Sequence, residues 1–92
     1  MAAGPDGSLY VFGGDAYPIA GDNDLFKLDV DTKEWHVITP RGSVRPSVRW
    51  SHGMVAVGSD LYVFGGWDSG NERYSNEIFR FSTTLLQWET IL

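Results

Sequence analysis

The chain repeats itself once, and this internal repeat constrains its fold more than any other feature. The segment 8–14, Ser-Leu-Tyr-Val-Phe-Gly-Gly, returns at 60–66 as Asp-Leu-Tyr-Val-Phe-Gly-Gly, at an offset of 52 residues. A second match follows at an offset of 53 residues, in which Phe26 and Trp35 correspond to Phe79 and Trp88. A repeat of about 50 residues with a Gly-Gly doublet and a spaced tryptophan is typical of one blade of a β-propeller.

The spacing of the apolar residues predicts strands in both repeats. Leu9–Phe12 and Leu61–Phe64 are unbroken apolar runs, as expected of central strands that are covered on both faces. Trp35 and Val37 alternate with polar residues, as do Phe79 and its neighbours, which is the period of a strand covered on one face. We therefore expect four strands in the second repeat and three in the first, whose inner strand is expected to be missing.

Length, charge and cysteine content narrow the class of protein. The 92 residues suffice for one cooperative unit, and 42% hydrophobic with 21% charged residues is usual for a globular chain. The chain has no cysteine and no run of about 20 apolar residues, and it begins without the apolar segment of a secretory signal. We expect an intracellular, cytoplasmic protein. A net charge of −5 argues against nucleic acid and membrane as partners.

The repeats resemble those of the kelch family. That family's pattern is an Arg-x-x-His lead-in, an inner strand, a strand that ends in Gly-Gly, a third strand, and a tryptophan in the fourth. The matching residues are Arg49, His52, Gly65, Gly66 and Trp88 in the second repeat and Gly13, Gly14 and Trp35 in the first. The resemblance implies an all-β fragment of a kelch-type β-propeller, with about two blades of antiparallel four-stranded meanders that do not close into a propeller alone.

Four segments follow from this interpretation: an N-terminal tail (1–6), a partial first repeat (7–39), an inter-blade loop (40–50) and a second repeat (51–92). We expect each Gly-Gly doublet to end a strand where a positive φ or a close backbone contact excludes a Cβ. Trp35 and Trp88 are expected to be buried wedges between adjacent blades. The resemblance gives His52 a structural hydrogen bond at the inner strand.

The sequence contains no complete catalytic or metal-binding pattern. Asp22-Asn23-Asp24 resembles the start of a calcium loop, but Phe26 and Lys27 fill positions that need a ligand and a glycine. Among kelch-propeller enzymes, galactose oxidase needs a cysteine, and the nitrile-specifier proteins bind iron through a Glu-x-x-x-Asp-x-x-x-His motif; this chain has neither. We predict a non-enzyme without metal or cofactor. The alternative is a non-catalytic segment of a larger kelch enzyme whose active residues lie in missing blades.

Long connections indicate where a partner would bind. In an up-and-down blade, the connections after strands two and four emerge on one rim, and the long segments 15–22, 39–49 and 67–75 are all of this kind. The candidate partner-binding residues on them are Tyr17, Arg41, Arg45, Arg49, Trp67, Arg73 and Tyr74. Loops on a rigid scaffold are the usual seats of binding.

Arginines are the only charged residues from Val37 to Ser59. We interpret these arginines either as solvated side chains that balance the charge of acidic residues or as a binding site for an acidic or phosphorylated peptide. The sequence therefore predicts a protein-interaction module, an adaptor or scaffold with a protein or peptide partner. Because two blades expose two outer faces, we also expect further kelch blades or self-association.

Overall fold

Strands are the regular secondary structure in the part of the chain that the structure describes, and turns, bends and irregular segments connect them. This structure, a computed structural model, describes residues 2–4, 7–16, 19–50, 52–68 and 71–92. The strands are β1 (Ala2–Ala3), β2 (Leu9–Ala16), β3 (Ile19–Asp29), β4 (Glu34–Ile38), β5 (Arg49–Trp50), β6 (Gly53–Val57), β7 (Asp60–Phe64), β8 (Trp67–Asp68), β9 (Arg73–Tyr74), β10 (Ile78–Ser82) and β11 (Gln87–Thr90). Across those ranges no helix is long and apolar enough to cross a membrane. The predicted all-β class is confirmed.

The second repeat forms a four-stranded antiparallel sheet in the order β11-β10-β7-β6. Its register pairs Leu61 with Phe81, and Phe81 with Trp88. Residues paired directly across antiparallel strands share a face, so these three side chains form one row. This meander confirms the predicted propeller-type blade.

The first repeat has a strand where none was expected. β1 pairs with β2, with Ala2 opposite Tyr10 and Ala3 opposite Leu9, so it occupies the inner-strand position of the first sheet, which continues through β3 and β4. The expectation of a missing inner strand is wrong, and Ala2 and Ala3 of the predicted 1–6 tail belong to the sheet. Two alanines are too short a strand to show the alternation by which a sequence predicts one.

The core lies between the two sheets. Its buried apolar residues are Tyr10, Phe12 and Leu25 from the first sheet and Leu61, Val63, Phe79, Phe81 and Trp88 from the second. The ring centroids of Phe12 and Trp88 are 5.2 Å apart in an edge-on arrangement. His52 also packs edge-on against Phe12, at 5.4 Å. These contacts dock one blade on the other.

The two signature tryptophans differ in burial. Trp88 is 3% exposed, whereas Trp35 is 57% exposed. Trp35 pairs with Leu28, which pairs with Leu9, and this row lies on the face of the first sheet directed away from the second. The expected burial of Trp35 as a wedge is therefore wrong in this chain.

The Gly-Gly doublets also differ. Strand β7 ends at Phe64, and Gly65 and Gly66 follow with φ angles of 68° and 87°, as expected of a strand-ending pair. Gly13 also has a positive φ of 62°, but it lies within β2, whose pairing resumes where Gly14 pairs with Asp22. The first doublet produces a register shift and does not end the strand.

Candidate protein-binding rim

The three long segments of the chain meet in an extension of the first sheet, whose strand order runs β1-β2-β3-β5-β8-β9. Asp22 in β3 pairs with Arg49 in β5, Arg49 pairs with Asp68 in β8, and Asp68 pairs with Arg73 in β9. We call this arrangement of β3, β5, β8 and β9 the rim sheet. The expectation that these segments share a rim agrees with this pairing. The expected loop at 15–22 is instead largely strand, because β2 extends to Ala16 and β3 begins at Ile19.

One face of the rim sheet carries an aromatic row of Trp50, Trp67 and Tyr74. Trp50 pairs with Trp67, and Trp67 pairs with Tyr74. The ring centroids of the first pair are 6.3 Å apart, and those of the second are 5.0 Å apart in an edge-on arrangement. Tyr74 is 78% exposed. The row is therefore an apolar surface with an open end at Tyr74.

Sequence analysis missed Trp50 as a member of this row. Its position in the repeat precedes the first residue of the chain's first copy, so it has no counterpart to compare. A signal was still present, because Arg49-Trp50 and Trp67-Asp68 each place a tryptophan beside a charged residue. Two such dipeptides on neighbouring strands place both tryptophans on one face when they pair.

The opposite face of the rim sheet is anchored by Arg49, whose exposed fraction is 0%. Its guanidinium donates hydrogen bonds to Ser47 O and Oγ, Gly65 O, Ser75 Oγ and Glu77 Oε1, at 3.0 to 3.4 Å. It also lies 5.2 Å from the centre of the Phe79 ring. Arg49 was expected to bind a partner, and this is wrong, because a fully buried guanidinium with these acceptors is not accessible to one.

Asp68 is the second buried charge under the aromatic row, at 1% exposed. Its carboxylate accepts hydrogen bonds from Asn71 N at 3.3 Å and Asn71 Nδ2 at 2.7 Å. Burial by itself would raise the pKa of the Asp68 carboxyl, but hydrogen bonds from Asn71 and Ser47 and the charge of Arg49 together lower it. The ionised carboxylate thus holds Asn71, which precedes Arg73 and Tyr74 in the chain.

The other candidate arginines lie in different places. Arg73, in β9 next to Tyr74, is exposed. Arg45 reaches β3, where it forms an ion pair with Asp24 at 3.0 Å and donates to Asn23 O at 2.9 Å. Part of the positive charge of Arg45 is therefore already neutralised within the chain.

Arg41 lies away from the rim sheet. Its backbone amide donates to Leu86 O at 2.6 Å, in the connection between β10 and β11. Connections of an up-and-down sheet alternate between its two ends, so this is the end opposite the β7–β10 connection that holds Trp67 and Tyr74. The grouping of Arg41 with the rim aromatics is wrong. Tyr17 lies outside the described residues.

Among the residues that the structure describes, no three His, Cys, Asp or Glu side chains are grouped closely enough to hold a metal ion.

Two antiparallel blades packed face to face, with their long connections gathered at one rim, define a propeller-type repeat protein. The chain belongs to the kelch-repeat family, since the family model described as the KLHDC2/KLHL20/DRC7 Kelch-repeats domain matches residues 1–92. The predicted family is confirmed.

Three relatives illustrate the range of proteins that contain such repeats. The chain is 38% identical over 92 residues to Kelch domain-containing protein 3 of Homo sapiens, covering 87% of this chain and 23% of that protein. It is 35% identical over 88 residues to human Kelch domain-containing protein 10, covering 94% and 20%. It is 35% identical over 82 residues to N-(sulfonatooxy)prop-2-enimidothioate sulfolyase of Thlaspi arvense, covering 88% and 23%. The chain spans about a fifth to a quarter of these relatives.

Proposed function

We propose that the chain is a protein-interaction module that holds a protein or peptide partner at the rim sheet. The observation that carries the proposal is the aromatic row, which ends in a tyrosine that is 78% exposed. Tryptophan, tyrosine and arginine are the residues most enriched where interfaces concentrate their binding energy. An adaptor or scaffold role agrees with membership of the kelch-repeat family.

The buried charges beneath the row support the proposal. Arg49 and Asp68 are both almost fully buried and hydrogen-bonded, so the backbone that carries Trp67 and Tyr74 is held in place before any partner arrives. Preorganised contact residues lose less conformational entropy on binding, which favours affinity.

The partner chemistry follows from the charges beside the row. Arg73 is exposed and adjoins Tyr74, while Arg45 shares its charge with Asp24. Because successive residues of a strand point to opposite faces, Arg73 lies on the other face of the rim sheet from Tyr74, at the edge strand β9. We infer an extended peptide that places an apolar side chain on the aromatic row and passes around this edge to bring a carboxylate or phosphate to Arg73. An arginine guanidinium binds both of these anionic groups with paired hydrogen bonds.

Peptide selection tests the proposal directly. The chain is immobilised, and a random peptide library is selected against it. We expect the recovered peptides to be enriched in acidic residues and to lose most of their binding to the Tyr74→Ala and Arg73→Ala variants. Leu85→Ala is the matched control, because Leu85 is 61% exposed in the connection at the opposite end of the second sheet. Recovered peptides that bind all three variants equally would contradict the proposal.

A second candidate function is that of a non-catalytic segment of a larger kelch enzyme. The similarity to the sulfolyase of Thlaspi arvense favours it. Sequencing the transcript beyond both ends of this chain separates the candidates. A reading frame that continues into further repeats with a Glu-x-x-x-Asp-x-x-x-His motif would favour the enzyme, and further repeats without such a motif would favour the interaction module.

A further inference from the structure

The outer face of the first sheet carries the same kinds of residue as the face of the second sheet that is buried against the first sheet. The outer row of the first sheet consists of Leu9, Leu28 and Trp35. At the equivalent positions of the second repeat, Leu61, Phe81 and Trp88 form the row that packs on the first sheet. Because the residues and the register correspond, the outer face of the first sheet has the chemistry of a sheet-docking surface.

The outer face of the second sheet is built like the surface that receives that docking. Tyr10 and Phe12 of the first sheet are 3% and 2% exposed beneath the second sheet. Their equivalents, Tyr62 and Phe64, lie on the second sheet's outer face, since they alternate with the buried Leu61 and Val63. The chain therefore carries both halves of its internal interface a second time, one half on each outer face.

In the part of the chain that the structure describes, large apolar side chains on both of these outer surfaces are exposed. Trp35 is 57% exposed where Trp88 is 3% exposed, and Phe64 is 45% exposed where Phe12 is 2% exposed. Val37 pairs with Phe26 and extends the first surface, at 63% exposed. Contiguous exposed apolar surfaces of this kind mark sites of protein association.

We propose that the chain associates with copies of itself head to tail, through these two surfaces. The outer face of the first sheet of one copy packs on the outer face of the second sheet of the next, with Trp35 edge-on to Phe64 as Trp88 is to Phe12. A second copy is the occupant, because it carries the surface whose equivalent already fits within the chain. This goes beyond the binding of a partner at the rim.

The polarity of the contact distinguishes it from an ordinary symmetric dimer. The two surfaces are different, so the interface is heterologous, and such an interface forms a ring when its rotation closes and an open chain when it does not. Propellers close with about 4 to 8 blades. With two sheets in each copy, a closed assembly would contain about two to four copies.

Two variants each disable one surface and leave the other intact. Trp35→Glu places a carboxylate on the first surface, and Phe64→Glu places one on the second. Both side chains are about half exposed, and circular dichroism checks that each variant keeps the wild-type spectrum. Val37→Glu and Val57→Glu, at residues 63% and 60% exposed on the same two faces, replace either variant that unfolds. Tyr74→Glu, at an exposed aromatic residue of the rim, is the matched control.

Light scattering coupled to gel filtration gives the deciding masses. We expect the wild type and Tyr74→Glu to form assemblies larger than the 10.2 kDa monomer, and each single-surface variant to be monomeric. An equimolar mixture of Trp35→Glu and Phe64→Glu should restore a one-to-one dimer, because each variant supplies the surface that the other lacks. A monomeric wild type at all concentrations, a single-surface variant that still self-associates, or a mixture that stays monomeric would each overturn the proposal.

Discussion

The ring of Trp88 packs edge-on against the ring of Phe12, with 5.2 Å between the centroids, and this contact joins the two blades. Trp88 comes from β11, the last strand of the second sheet, and Phe12 from β2 of the first. Phe81 also packs on Trp88, at 5.1 Å. Trp88 thus contacts an aromatic residue of each sheet, so the packing of both sheets depends on it.

We expect Trp88→Ala to destabilise the fold by about 3 to 5 kcal/mol, the usual cost of removing a large aromatic side chain from a packed core. Trp35→Ala is the control, since Trp35 occupies the same position of the repeat at 57% exposed and should cost about 1 kcal/mol or less. Urea unfolding followed by circular dichroism, at a concentration where the chain is monomeric, measures both. Equal losses would show that Trp88 does not join the blades.

Arg49 should contribute far more to stability than Arg45. Arg49→Met leaves Glu77, Ser75 and the Gly65 carbonyl without the guanidinium that they share, and breaking a buried ion pair from one side costs about 3 to 5 kcal/mol. We expect the lower end, because the Glu77 side chain is 35% exposed and water can replace part of the loss.

Arg45→Met is the matched control for that comparison. The Arg45–Asp24 pair is 37% and 45% exposed, and exposed pairs contribute about 0 to 1 kcal/mol. Urea midpoints that fall by similar amounts in both variants would contradict the scaffold role of Arg49 and would reopen its assignment to partner binding.

The blade architecture could be predicted from the sequence because it rests on local patterns. The unbroken apolar run Leu61–Phe64 and the alternation around Phe79 predicted the strands, and the repeat predicted how they pair. The register rows of the two sheets, which both end in a tryptophan, follow from that correspondence. Any chain with this alternation and this repeat would give the same prediction.

The rim sheet and the burial of individual residues could not be predicted in the same way. β5, β8 and β9 are two-residue strands, which are too short to show a period. Local sequence patterns also do not specify which of these short strands pair with one another. Arg49 belonged to a loop with three arginines, and only the positions of Ser75 and Glu77 show that it is buried. The exposure of Trp35 likewise depends on what packs against its sheet, which alternation does not specify.

Stability should fall as pH is lowered through the titration of His52. Burial lowers the pKa of the His52 imidazole below its ordinary value of 6.5, although a main-chain hydrogen bond with Phe12 opposes this. The unfolded chain therefore binds a proton at His52 more readily than the folded chain does. The contribution of His52 to the free energy of unfolding is complete above about pH 6.5 and is lost as pH falls below that value. The pKa of the Asp68 carboxyl is also lowered. Its contribution to the free energy of unfolding is lost only as pH falls below 3.8, the ordinary pKa of this group.

Urea midpoints measured from about pH 8 to pH 5 test this dependence. We expect the wild-type midpoint to decrease over the lower part of the range and His52→Gln to show a smaller decrease. His36→Gln is the control, because it makes the same substitution at a histidine that is exposed in β4. A His52→Gln profile parallel to that of the wild type would exclude His52 as the source.

The two glycines after β7 provide a test of why the doublet is needed. Both have positive φ angles, so any side chain at either position costs about 1 to 2 kcal/mol of backbone strain.

The two glycines differ in the space around them. A Cβ on Gly65 would meet only Ser75 O at 3.6 Å, whereas one on Gly66 would lie 2.7 Å from Trp50 O and 2.8 Å from His52 Cβ. We expect Gly65→Ala to lose only the stability that backbone strain costs and Gly66→Ala to lose more, because Trp50 and His52 must shift away from the added Cβ. The urea midpoint of Gly66→Ala should be clearly the lower of the two, and its tryptophan fluorescence should change as Trp50 moves relative to Trp67. Equal midpoints with unchanged fluorescence would mean that the doublet is required for its backbone conformation only and not for the close approach of the chain at Trp50.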